Sequence, residues 1–372
     1  MASRPLPFDL VFSLFSLKKG NMRSVRLYRI SIVFLMIPLF CVLCLLNNLF
    51  LLLDHVFFFR FKKQAVDSPV FITSLPRTGT TYLLHGMNDL NHLFTTIKLW
   101  ESIFAPSVIQ KLIFVRVTQL DTFTGGWGKK CWLFFERISL QAILKIHRTG
   151  MNHPEEDELM LLWSFETAYF SLFYPDSEVA KDLFRFDSKV SNRRKLRIMN
   201  RYKRLVQRHM YVFSDNGSKR FVSKNPMMIF KLASIKDHFS DALILTIDRN
   251  PSSTVPSTIA LNRSLIALSS DVTMPVHVVH DVEDLMVDWY SYLHKCLTQD
   301  QILPHLEIDF TELTQHRSLV INQVLSFLDI SFRLQLSPEI KTRSKHITPA
   351  KYDKLEGEEL TSLMSRLHFL KT

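Results

Sequence analysis

Apolar positions along the chain fall into three patterns, each predicting a different kind of element. The first is an uncharged run, ISIVFLMIPLFCVLCLLNNLFLLL at residues 30–53, which exceeds the roughly 20 residues a helix needs to cross a bilayer. Pro38 and the Asn47–Asn48 pair interrupt it. A spanning helix, an interfacial segment and a pair of core-covering helices are all compatible with that pattern. The second pattern is short, buried-looking runs bounded by turn residues, at Val70–Thr73, Arg220–Ser223, Leu243–Asp248 and Leu306–Phe310, which read as strands. The third is helical. HPEEDELMLLWSFETAYFSLFY (153–174) begins with acidic residues that suit a helix N-terminus, and SNRRKLRIMNRYKRLVQRHMYVF (191–213) is a basic amphipathic helix. KNPMMIFKLASIKDHF (224–239) reads as a loop and helix, and residues 281–300 and 312–330 as further helices. Residues 88–150 read as helices and loops, with Gly125-Gly126-Trp127-Gly128 as the clearest break. Strands alternating with helices predict an α/β fold: a P-loop-type parallel sheet flanked by helices, preceded by an N-terminal hydrophobic membrane segment. The expected division is a membrane-associated region at 1–65 and one α/β domain at 66–372.

Composition narrows the partners. The 372 residues are 47% hydrophobic and carry a net charge of +11, which favours an anionic partner: a nucleotide, a membrane surface or a sulfated product. No nucleic-acid module accompanies the charge, so nucleic acid is not expected. Lys18, Lys19, Arg23, Arg26 and Arg29 precede the apolar run, whereas Arg60, Lys62 and Lys63 follow it; that imbalance favours a cytoplasmic N-terminus, while the side of the membrane stays open. Residues 1–17 are amphipathic as well and suit a bilayer surface. Four cysteines neither build a disulfide framework nor complete a metal site, and Cys131 and Cys296 read as buried free thiols.

The densest chemistry lies in PVFITSLPRTGTTYLLHGM at residues 69–87. A strand, a tight loop and a helix start present backbone N–H groups and hydroxyls to a phosphate. The pattern nearly fits G-x-x-x-x-G-K-[ST]. Ser74 stands at the first glycine and Gly79 at the second; Thr80 replaces the lysine, Thr81 fills the hydroxyl position and Arg77 offers a cation earlier. Two more loops, SKNP after the second strand and DRNPSSTVPS after the third, fall where open parallel sheets gather ligands.

Together these loops resemble those of sulfotransferases that use 3′-phosphoadenosine 5′-phosphosulfate (PAPS). In particular they resemble those of a branch with a PRSGTT or PRTGTT loop that includes many membrane-associated bacterial members and is similar in its loops to tyrosylprotein sulfotransferases. The resemblance runs over about residues 66–335 and is loose beyond. It implies that Arg77, Thr78, Gly79, Thr80 and Thr81 hold the 5′-phosphosulfate, that Arg249 and Ser257 hold the 3′-phosphate, and that Lys224 meets the oxygen bridging phosphorus and sulfur. The implied reaction moves a sulfuryl group to a hydroxyl, less readily an amine, on an acceptor of open class (lipid, glycan, small molecule or peptide) and requires no metal.

Glu101, 24 residues after Arg77, falls near the place where the protein-tyrosine branch carries a catalytic glutamate, and is the expected general base. The alternative is the HPEEDE turn, with Glu155 or Glu156 beside His153. Other superfamily members use a histidine, for which His85, His92 and His147 are candidates. The C-terminal glycine-rich 3′-phosphate segment of the cytosolic enzymes is missing, and Lys341, Arg343, Ser344 and Lys345 could stand in for it. A catalytically inactive nucleotide-binding membrane scaffold and a P-loop kinase are the rival readings; a kinase would need a lysine at position 80, where this chain has Thr80, and a metal-holding aspartate, for which Asp248 is the one candidate.

Overall fold

A computed structural model of the chain describes residues 27–123, 125–139, 149–172, 178–269, 276–299 and 302–330, with residues 361 and 365 singly. Strands β1 (Val70–Ile72), β2 (Phe94–Thr96), β3 (Arg220–Lys224), β4 (Leu243–Asp248) and β5 (His305–Asp309) form one parallel sheet in the order β2-β3-β1-β4-β5. Alternation along the strands splits the interior in two. Phe71, Phe221 and Ile244 enter one core, whereas Val70, Ile72, Val222, Leu245 and Ile247 enter the other. Burial on both faces is why these strands read as unbroken apolar runs.

Ten helices carry the argument that follows: α1 (Leu27–Phe57), α2 (Thr80–Asn88), α3 (Leu99–Phe104), α4 (Val108–Asp121), α5 (Trp127–Ser139), α6 (Asn192–Phe213), α7 (Pro251–Ser269), α8 (Val276–His294), α9 (Phe310–Gln315) and α10 (Arg317–Phe327). Leu83, Leu84 and Met87 of α2 pack with Val320, Ile321 and Val324 of α10 on the second face. Ile198, Tyr202, Leu205 and Val206 of α6 line the first.

Four expectations are corrected. Strand β2 lies in the 88–150 stretch whose sequence predicts helices and loops, because Phe-Thr-Thr offers no apolar run; its pairing with β3, Phe94 beside Arg220, makes it a strand. Over its described residues, 153–172, the segment read as a long helix is two 3₁₀ turns, Asp157–Ser164 and Ala168–Leu172. Phe165 sits in the left-handed region at φ 57° and stops the first turn. The acidic side chains serve partners outside the segment instead of a helix dipole. Cys131 is exposed, while Cys296 is buried. The last helical segment is two helices broken at His316.

The apolar run is one continuous helix, α1, with Pro38 inside it, and Pro38–Phe57 is long and apolar enough to cross a membrane. Neither Asn47 nor Asn48 breaks it. Asn47 donates to Ile103 O (3.0 Å) and accepts from Gln110 Nε2 (2.7 Å), and Asn48 donates to Trp163 O (3.1 Å). Asp54 caps α4, accepting from the N–H groups of Val108 (2.9 Å) and Ile109 (3.2 Å), and also receives Arg208 Nε at 2.7 Å. Both charges of that pair are buried, so each depends on the other for its desolvation to be tolerable.

Candidate active site

Strands β3, β1 and β4 are neighbours and all parallel, so the three loops singled out in the sequence leave the same edge of the sheet side by side. The β1 loop is pinned from within. Ser74 Oγ accepts from Ile247 N at 2.5 Å, Thr78 Oγ1 donates to Leu75 O at 2.8 Å and Thr73 Oγ1 donates to Asn225 O at 3.3 Å. Ser74, standing where a glycine is usual, thus ties the loop to β4. Arg77 takes φ 68° and Gly79 φ 95°, two left-handed turns that aim the loop at the N-terminus of α2. The N–H groups of Thr80 and Thr81 open that helix and find no acceptor among the described residues, the situation that favours an anion.

Arg77, Arg249 and Ser257 converge there. Arg77 Nε donates to Ser257 Oγ (3.0 Å), and Arg249 Nη1 donates to Arg77 O (2.5 Å). The Arg249 guanidinium lies 4.0 Å from the centre of the Phe310 ring. Burial lowers the Arg249 pKa, and the neighbouring Arg77 charge lowers it further. Two half-buried cations held together strain each other, and a bound dianion would relieve both. Phe310 also faces Gly79, where an added Cβ would meet its ring at 3.1 Å. Gly79→Ala is therefore expected to cost about 1–2 kcal/mol, since it combines a left-handed φ with a clash against an aromatic wall. A denaturant midpoint unchanged from wild type would count against it.

Lys224 ends β3 with its side chain buried, and its Nζ lies 2.6 Å from Glu156 Oε1. The four acidic residues of the 155–158 turn fan out to different partners. Glu155 accepts from Thr149 Oγ1, Glu156 holds Lys224, Asp157 accepts from Tyr202 OH at 2.5 Å, and Glu158 receives Lys231 Nζ at 2.5 Å and Asn225 Nδ2 at 3.2 Å. Burial pushes the Asp157 carboxyl up to about 6. Of the four, Glu156 is the one placed against the catalytic-lysine candidate.

Glu101, expected as the base, is sealed among charged partners. It is 1% exposed and meets His209 Nδ1 (2.7 Å), Lys111 Nζ (3.3 Å) and the N–H of Lys98 (3.1 Å). Burial alone would raise its pKa, but the His209 and Lys111 charges outweigh that and hold it at about 2. A sealed, ion-paired carboxylate of that acidity is a poor proton acceptor. Glu101 instead braces the 97–101 segment, whose neighbours are Pro154 (bridged to Lys98), His153 O (accepting from Leu99 N) and Met151 O (accepting from Trp100 N).

Among the histidines, His85 is packed 5.8 Å from His153, ring to ring, and burial, then the His153 charge, lowers its pKa. His92 is exposed. His147 and the Lys341–Lys345 stretch lie outside the described residues. Two contributors escaped the sequence reading. Tyr290 of α8 donates to Arg249 O (3.3 Å), and burial raises its pKa to about 12, so it stays a neutral phenol. Phe310 could have been found, because it follows β5 at the same sheet edge as the other three loops.

Comparison with known proteins agrees with this architecture. Two solved structures share the fold: the sulfotransferase STF9 of Mycobacterium avium (TM-score 0.67, 15% identity, covering 99% of this chain and 92% of that one) and the sulfotransferase STF1 of Mycobacterium tuberculosis H37Rv (TM-score 0.58, 17% identity, 89% and 86%). No curated protein matches the sequence. The model of the sulfotransferase family matches residues 69–333, a span that contains all three converging loops, and the chain belongs to that family.

Proposed function

We propose that the chain transfers a sulfuryl group from PAPS to a hydroxyl-bearing acceptor, releasing adenosine 3′,5′-bisphosphate. The observation that carries this reading is the meeting of Arg77, Arg249 and Ser257 at the open start of α2, with the Lys224–Glu156 pair at the end of β3, the strand next to β1. On this reading the loop from Arg77 to Thr81 holds the 5′-phosphosulfate, and Arg249 with Ser257 holds the 3′-phosphate, where a guanidinium can grip two oxygens at once. Lys224 neutralises charge that builds on the departing phosphate oxygen. Glu156 takes the acceptor's proton. The acceptor oxygen attacks sulfur, the bond from sulfur to the bridging oxygen breaks, and its electron pair stays on the nucleotide phosphate. With PAPS bound, Lys224 exchanges its partner from Glu156 to the bridging oxygen, which frees the carboxylate for the proton. The PRTGTT loop is the ground on which we place the chain with the membrane-associated branch.

The test is binding followed by transfer. Calorimetry with the purified protein should show adenosine 3′,5′-bisphosphate binding, weakened by roughly 10- to 100-fold in Arg249→Ala, the worth of one charge-assisted phosphate contact. Radiolabelled PAPS incubated with fractionated acceptors should then give a labelled product. Tight ATP binding indifferent to adenosine 3′,5′-bisphosphate would refute the reading.

A further inference from the structure

Helix α1 is inside out for a helix packed on a soluble domain. Its domain-facing positions, Phe40, Cys44, Asn47, Leu51 and Asp54, recur every three or four residues and include its two buried polar groups. Leu39, Val42, Leu45, Leu49, Leu52 and Val56 recur on the other side and are exposed. A surface helix in water shows the reverse arrangement.

The exposed apolar surface continues next door. Asp54 caps α4 and Asn47 holds Gln110, so α4 lies against α1. Asp121 at the end of α4 accepts from the N–H groups of Gly128 (2.7 Å) and Lys129 (2.8 Å), folding α5 back beside it. The hairpin tip carries Phe123, 87% exposed, and Trp127, 68% exposed; Leu120, Phe134 and Ile138 extend the patch. Every exposed charge on α4 and α5 is basic: Arg116, Lys129, Lys130 and Arg137. Lys130 Nζ sits 5.7 Å from the centre of the Trp127 ring. The acids on these two helices outside the buried interior, Asp121 and Glu136, are partly covered, and Asp121 is spent on the Gly128 and Lys129 N–H groups. The exposed aliphatic and aromatic side chains beside Trp and Lys therefore carry an excess of exposed positive charge that matches an anionic bilayer surface.

We propose that α1, α4 and α5 form a monotopic docking surface for an anionic lipid bilayer, with α1 lying in the membrane plane rather than crossing it. The stretch from Phe40 to Asp54 stays against the domain for about 21 Å of helix length. Crossing a hydrocarbon core of about 30 Å would drag the contacted wall, with Arg208 and the Trp163 carbonyl, deep into lipid.

The test uses the full chain and vesicles of phosphatidylcholine with or without phosphatidylglycerol. Wild type should float with the vesicles, more tightly when phosphatidylglycerol is present. The triple variants Phe123→Ser/Trp127→Ser/Phe134→Ser and Leu45→Ser/Leu49→Ser/Leu52→Ser should each lower the partition coefficient at least tenfold. Leu319→Ser, which removes an exposed apolar side chain from α10, should leave it unchanged. Triple variants that float like wild type would overturn the proposal, as would a detergent-free wild-type dimer that ignores vesicles. For orientation, an N-terminal epitope and the α/β domain should be protease-sensitive in the same membrane preparation, spheroplasts or inverted vesicles. Digestion in opposite preparations would overturn the in-plane placement.

Discussion

Glu156→Gln is expected to lower kcat for sulfuryl transfer by roughly 10²–10⁴-fold, the usual worth of a positioned general base, while leaving nucleotide affinity within a few-fold of wild type. Glutamine retains the shape and an acceptor oxygen for Lys224, 2.6 Å away in the wild type, but cannot take the acceptor's proton. Lys224→Met should also cut kcat, through lost stabilisation of the departing phosphate oxygen. The two effects should not add, because each group acts on the same transition state. Single-turnover kinetics with saturating PAPS separates chemistry from binding. A Glu156→Gln enzyme with wild-type kcat would remove the carboxylate from the proton-transfer step.

Glu101→Gln is expected to act on stability instead. The wild-type carboxylate balances Lys111 and His209, all three buried. Neutralising it leaves buried positive charge without its counter-charge, at a cost of about 3–5 kcal/mol, and a fall in Tm of roughly 5–10 °C. The pH dependence identifies the cause. The folded pKa of about 2 lies below the ordinary value of 4.5. The stabilisation from ionised Glu101 is therefore complete above pH 4.5 and is lost as pH falls toward 2. The stability gap between wild type and variant should narrow over that window. The kcat of folded Glu101→Gln should change far less than that of Glu156→Gln. The opposite ranking would restore Glu101 as the base.

Three central strands and their loops were legible because each is an apolar run ending in residues whose chemistry is local: Arg77-Thr78-Gly79 in a tight turn, Lys224 at a strand end, Arg249 before Asn-Pro. Strand β2 was not legible, since Phe94–Thr96 owes its strand geometry to β3 rather than to its own pattern. The 153–174 segment misled for a related reason. Four consecutive acids after a proline suit a helix start, yet their carboxylates are drawn to Thr149, Lys224, Tyr202 and Lys231, and tertiary contacts of that kind override local propensity.

The sequence by itself determined the class of fold, the family and the residues of the three loops at the sheet edge, because strand periodicity and turn chemistry are properties of neighbouring residues. It also determined that residues 30–53 are too apolar for an ordinary surface helix. Tertiary structure decided the surroundings of each candidate carboxylate. Glu101 and Glu156 are equivalent as letters, but one is sealed between His209 and Lys111 while the other touches Lys224. It also decided how the apolar helix lies, through Asn47 and Asp54, whose partners at Ile103, Gln110 and Arg208 are 56, 63 and 154 residues away. Burial and electrostatic pairing depend on groups distant in sequence, so they are fixed only when the chain has folded.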